Sequence, residues 1–176
     1  MCSSDLEEWG RYGRGKWDYR INAKRLYKFW ETGIDRVKDY ENIITIGMRG
    51  DGDEAMLVKG TINKNKALLE RIIRDQRKIL SEKIYPDVTK VPQVLALYKE
   101  VQTFYEQGLC VPEDITLLLS DDNFGNIRIL PSPKERQRAG GYGMYYHFDY
   151  VGAPKSYQWI STIPLPKIWE QMTMTY

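Results

Sequence analysis

The chain has 176 residues, 42% hydrophobic and 28% charged, with a net charge of +2 at pH 7, the profile of an ordinary globular domain. So small a charge, with no block of like-charged side chains, argues against a nucleic-acid partner, and no apolar stretch approaches the ~20 residues that cross a bilayer. Two cysteines and one histidine cannot supply a zinc-finger ligand set, and Met1 to Glu8 lacks the apolar core of a signal peptide.

Taken in order, Trp9 to Arg20 is rich in Gly, Arg and aromatic residues and reads as loop. Asn22 is a suitable cap for a helix on which Leu26, Phe29, Trp30, Ile34 and Val37 recur at helical spacing. Ile43 to Met48 reads as a strand and Gly50-Asp51-Gly52-Asp53 as a glycine-opened loop. Asn63 is placed to cap a second helix, with Leu68, Leu69, Ile72, Ile73, Ile79 and Leu80 on its apolar face. Pro86 and Pro92 bracket the turn into a second strand, Val94 to Tyr98, and a short helix, Val101 to Gln107, stops at Gly108. Cys110, between Leu109 and Val111, reads as a small buried hydrophobe. Pro112 precedes a third strand, Ile115 to Leu119. Ser132-Pro133-Lys134-Glu135 has the spacing of a helix start. Glycines 140, 141 and 143 lead into a fourth strand ending at Tyr146, and a last helix starts at Pro166.

Strand and helix alternate throughout, which predicts parallel βαβ units. The fold class expected is α/β, with residues 1–176 forming about half of a (β/α)8 barrel, since eight such strands take about 250 residues. Half a barrel leaves the apolar face around Trp169 without a following strand to cover it.

Each apolar strand runs into polar side chains that can do chemistry. Ile43 to Met48 leads to Arg49, Asp51, Asp53 and Glu54; Val94 to Tyr98 leads to Lys99 and Glu100. Ile115 to Leu119 leads to Asp121, Asp122 and Asn123; Gly143 to Tyr146 leads to His147 and Asp149. In parallel α/β folds the loops after the carboxyl ends of strands carry the site. Each cluster also has a bland reading. The first is a solvated turn, Glu100 a first-turn glutamate favoured by the helix dipole, the third another turn, and His147 a satisfied structural histidine. Ala55 breaks the acidic alternation of a calcium loop, and Gly13-Arg14-Gly15-Lys16 lacks the length and hydroxyl of a phosphate loop. Taken together, carboxylates with aromatic rings nearby fit glycoside cleavage, in which one carboxyl protonates the leaving oxygen and another activates water. One histidine is too few for a metal-dependent barrel hydrolase, so no metal is expected.

The segment Ile46-Gly47-Met48-Arg49-Gly50-Asp51-Gly52-Asp53-Glu54-Ala55-Met56 resembles a signature of glycoside hydrolase family 115, the xylan α-1,2-glucuronidases. So do Ser120 to Arg128, Tyr145 to Pro154, and Trp159 with Ile163 to Met172, and the likeness runs from about Trp9 to the end. The resemblance implies an inverting enzyme with a (β/α)8 catalytic barrel, acting on glucuronoxylan or aldouronic acids without an organic cofactor. Enzymes of this kind are exported to the periplasm or outside the cell and are often dimeric. By position, the family's catalytic candidates fall on Asp53, Glu100, Asp121 and Asn123, and its substrate contacts on Arg49, His147 and Tyr150. The expected roles are Glu100 as general acid and Asp53 or Asp121 as the water-activating group. Arg49 is suited to pair the uronic carboxylate or to hold Asp53. Lys155 stands where Arg is expected, a poorer match for planar anion binding.

Two other functions compete. A non-catalytic carbohydrate-binding module would use Trp9, Tyr12, Trp17, Tyr145, Tyr146 and Tyr150. A free-standing four-stranded fold would hold a small anion at Arg49 and Lys99.

Overall fold

The computed structural model describes residues 3–59, 61–133, 135–149 and 161–175. Four parallel strands lie side by side in chain order: β1 (Ile44–Thr45), β2 (Gln93–Leu97), β3 (Thr116–Ser120) and β4 (Tyr142–Tyr145). The helices are α1 (Ser3–Tyr12), α2 (Tyr19–Val37), α3 (Ile62–Lys83), α4 (Glu100–Glu106) and α5 (Leu165–Thr175). A parallel sheet in unbroken sequential order, alternating with helices, is consistent with one side of a (β/α)8 barrel. Among the described residues no helix is long and apolar enough to cross a membrane.

Strand periodicity splits the sheet into unequal faces. Leu95, Leu97, Leu117 and Leu119 are buried and pack with Leu69, Ile73 and Leu80 of α3 and Val101 and Phe104 of α4. Val94, Ala96 and Leu118 point the other way and are only half-buried. Gly143 lies opposite Leu118, and a Cβ there would stand 2.6 Å from Leu118 Cδ2.

β1 is shorter than the apolar run Ile43 to Met48 predicts. Ile43 is 70% exposed, and Gly47 adopts φ +87°, which turns the chain out of the strand. Its departing backbone is caught by buried Gln76, whose Oε1 accepts from Gly47 N at 2.7 Å and whose Nε2 donates to Gly47 O at 3.2 Å.

The segment Trp9 to Arg20 is not simply loop: α1 runs through Tyr12, and Asp18, not Asn22, caps α2 by accepting from Arg20 N. Its aromatics form a second core. Trp9 and Trp17 pack edge-on at 5.6 Å, both meet Phe29, and Tyr19 stacks on Trp30 at 5.2 Å. Gly13 is required there, because a Cβ would lie 2.0 Å from the Trp9 ring. Tertiary aromatic burial thus overrides the Gly- and Arg-rich local sequence.

Three smaller expectations change. α3 begins one residue before Asn63, after Thr61, and Asn65 instead accepts from Val58 N at 2.6 Å. Ser132 and Glu135 do exchange capping hydrogen bonds, at 2.8 and 3.3 Å, but they close a single short turn, Glu135–Gln137, not a helix. Cys110 is exposed, not buried. Gly108, at φ +86°, ends α4 with Leu109 N bonded to Phe104 O and Gly108 N to Tyr105 O, a Schellman ending. That geometry sends Leu109 inward and leaves Cys110 outward.

Candidate active site

The described polar side chains after the four strands collect at the carboxyl ends of the sheet. Arg49 follows β1, Glu100 opens α4 directly after β2, Asp121 follows β3, and His147 follows β4. Two tight pairs result. Arg49 grips Glu100 with both prongs, Nε to Oε1 at 2.8 Å and Nη2 to Oε2 at 2.9 Å. Their side chains are 12% and 17% exposed, so this is a largely desolvated bidentate pair. The Arg49 backbone is fixed as well, because Trp17 Nε1 donates to its carbonyl at 2.9 Å.

The second pair is Asp121 with His147, Oδ1 to Nδ1 at 2.5 Å. Asp121 is fully buried at its side chain. It also accepts from the backbone N–H groups of Asn123 (3.3 Å), Gly125 (2.9 Å) and His147 (3.2 Å). Next to it, Asp122 accepts from Phe124 N, Asn126 N, Asn126 Nδ2 and both Arg128 Nε and Nη2. Burial alone would raise the Asp122 pKa, but these donors, Arg128 and Asn126 foremost, bring it far below the usual carboxylate range. Outer elements hold the same loop: Gln171 Oε1 of α5 accepts from Ile127 N at 2.7 Å, and Lys167 Nζ donates to Phe124 O at 2.9 Å.

Tyr98 joins the two pairs. The guanidinium of Arg49 lies 5.6 Å from its ring centroid, the ammonium of Lys99 5.0 Å, and Asn123 Nδ2 reaches its hydroxyl at 3.4 Å. Asn123 Oδ1 is buried and has no hydrogen-bond partner among the described residues. Such an orphan acceptor costs about 1–3 kcal/mol unless something fills the space. Lys99 (φ +49°) and Asn123 (φ +70°) are the non-glycine residues with positive φ among those described. Backbone strain of this kind gathers at functional sites.

The structure therefore brings together Arg49 with Glu100, and Asp121 with His147, with Asn123 between them through Tyr98. Arg49 pairs with Glu100, a contact the sequence did not suggest. Asp53 lies by its backbone in the short turn Asp51–Asp53 after β1; its side chain and all of Tyr150 lie outside the described residues. Tyr98 escaped sequence reasoning because it reads as the last apolar residue of a strand, and Gln76 because it reads as one polar residue on a helix. Among the described residues no group of three His, Cys, Asp or Glu is gathered to hold a metal ion.

The sequence profile of glycosyl hydrolase family 115 matches residues 1–176. The chain belongs to glycosyl hydrolase family 115. A solved structure of a novel family GH115 4-O-methyl-α-glucuronidase, BtGH115A, with specificity for decorated arabinogalactans, is 44% identical and superposes with a TM-score of 0.88. The match covers 96% of this chain and 22% of that one, so the chain spans about a fifth of the length of this family 115 relative. A comparison with curated proteins finds no match. Family membership accords with the strand-end placement of the paired side chains, which the geometry supplies independently.

Proposed function

We propose that this chain is the central part of the catalytic barrel of a glycoside hydrolase that removes glucuronic acid, or its 4-O-methyl ether, from the xylose backbone of glucuronoxylan with inversion. The observation that carries this reading is the joined pair of centres at the strand ends, Arg49–Glu100 and Asp121–His147, bridged by Tyr98 and strained at Lys99 and Asn123. Family membership and the glucuronidase named above support the uronic acid class. That relative acts on decorated arabinogalactans, so xylan and arabinogalactan oligosaccharides are the two substrate classes to compare.

Glu100 receives two N–H donors in a fork-to-fork pair, which fixes the plane and position of its carboxyl group. Glu100 then protonates the leaving oxygen, and Asp53, the carboxyl of the matching motif after β1, activates water. Lys99 adds positive charge suited to an anionic sugar.

Glu100→Gln in the complete enzyme tests this: turnover of aldouronic acids is expected to fall about 10²- to 10⁴-fold with KM little changed. Near-normal rates would remove Glu100 from the mechanism. The binding-module reading loses two of its rings, because Trp9 and Trp17 are core residues at 7% and 2% exposure.

A further inference from the structure

We propose that the cleft beside α4, on the helix side of the sheet, is a second carbohydrate site that takes a neutral sugar unit among Tyr105, Tyr142, Glu135 and Arg138. That this sugar belongs to the polysaccharide under attack rests on the glucuronidase reading above; the chemistry of the cleft does not.

The cleft exists because one crossover lacks a helix. Parallel strands are joined by crossovers that normally lay a helix on the sheet. α3 does so between β1 and β2, and α4 between β2 and β3. Among the described residues, the connection from β3 to β4 forms only the short turn Glu135–Gln137. A cavity of about 730 Å³ remains next to α4, with Leu119 and Ile129 on its walls. Ligand pockets are usually of this size, roughly 300–1,000 Å³, with a few polar groups converging on apolar walls.

Tyr105 and Tyr142 each pack against the main core and also line the cleft. Burial pushes the Tyr105 hydroxyl well above the usual phenol range, with Tyr142 and Glu135 adding to the shift, and burial raises Tyr142 as well. Glu135 is shifted down, chiefly by the hydrogen bond from Ser132 N at 2.8 Å. At neutral pH the cleft thus offers phenol donors and a carboxylate acceptor together. Arg138 adds a further donor. Its side chain is 7% exposed, with Nη2 donating to Pro112 O at 2.6 Å and Nη1 pairing with Glu113 at 3.3 Å. Its Nε is buried without a hydrogen-bond partner among the described residues, and an orphan of that kind in a native structure calls for an explanation.

These groups select a class of ligand. A sugar hydroxyl both donates and accepts, so one sugar ring can serve Glu135, the phenols and Arg138 Nε, while its apolar face meets a tyrosine ring. A cationic group has no acceptor to give to Nε. An anion would face Glu106, Glu113 and Glu135, with Arg138 the one cation among the described lining residues and already paired.

Cys110 is exposed and lines the same cleft, so its alkylation by iodoacetamide in the complete enzyme, read by peptide mass spectrometry, reports occupancy. Xylotetraose and galactotetraose carry no uronic acid and separate a xylan backbone from a galactan backbone. At least one of them is expected to slow alkylation, and tetragalacturonic acid is not. Tyr105→Phe keeps the ring and removes the hydroxyl, and should raise the protecting concentration by about three- to tenfold. Its KM on polymeric substrate should rise by a similar factor, while aldotriouronic acid is turned over as by the wild type, which also shows that the variant folds. No protection by either neutral sugar, equal protection by tetragalacturonic acid, or unchanged protection in Tyr105→Phe overturns the proposal. So does a Cys110 that reacts only after denaturation, because another part of the enzyme then fills the cleft. Weakened protection with an unchanged KM on polymer would overturn the link to the substrate and leave the sugar site. Protection by a neutral sugar in an enzyme without glucuronidase activity would uphold the site and sink the glucuronidase reading.

Discussion

Arg49 shows how one side chain decides the chemistry around it. Its fork locks Glu100 in place, and a lysine could supply the charge but not two parallel donors. Arg49→Lys is therefore expected to lower kcat/KM of the complete enzyme by about 10- to 100-fold, equivalent to 1.4–2.7 kcal/mol of transition-state binding. Unchanged kinetics would mean that charge alone suffices at this position. At Asp122 the readout is stability. Its folded pKa is depressed, with burial opposing and the donors of Arg128 and Asn126 prevailing. A depressed carboxylate stabilises the fold above its unfolded pKa, near 4, and the contribution fades as pH falls through the folded value. Asp122→Asn should thus lose about 1–2 kcal/mol at neutral pH, and the gap to the wild type should close in acid, followed by denaturant unfolding at each pH. A gap independent of pH would assign the loss to packing and not to charge.

The same logic at the level of elements concerns the end of β1. Gly47 leaves the strand at φ +87°, a Cβ there would lie 2.8 Å from Leu95 Cδ1, and its peptide is bracketed by Gln76. Gly47→Ala is expected to cost about 1–3 kcal/mol, because it combines backbone strain with a clash against a core leucine. Gln76→Leu leaves two buried backbone groups unsatisfied and should cost a similar amount; hydrogen exchange at Gly47 would rise in that variant and stay slow in the wild type. These elements also mark how far the sequence could be read. β2, β3 and the stop of α4 were legible because apolar runs and Gly108 act locally. β1 was over-read because nothing in Ile43 to Met48 reveals that Gly47 turns onto a helix glutamine. The strand-end side chains were legible as a group, since each follows an apolar run directly. Their pairing was not: Arg49 with Glu100 and Asp121 with His147 are contacts across 51 and 26 residues, set by strand register, to which local spacing is blind. The aromatic region around Trp9 and Trp17 failed for the same reason, as its helix is held by packing against Phe29 more than by propensity.

For the whole molecule the two faces of the sheet differ in consequence. In a closed (β/α)8 barrel the inward face is a packed core. Here Val94, Ala96 and Leu118 on that face are only half-buried, Ile43 is 70% exposed at the β1 side, and Leu165 and Trp169 of α5 are 78% and 77% exposed. Apolar surface of that kind is a docking face or an aggregation liability, and among the described residues β1 and β4 each have one neighbour in the sheet, the situation in which strand edges are open to pairing. The site itself stands at the rim of the same sheet. The 176-residue chain is accordingly expected to show little or no turnover of aldouronic acids and to self-associate as its concentration rises. Light scattering and product analysis on the same sample check both parts together. Turnover comparable to that of a complete family 115 enzyme from a monodisperse monomer would mean that four strands and their loops suffice to bind and cleave the sugar.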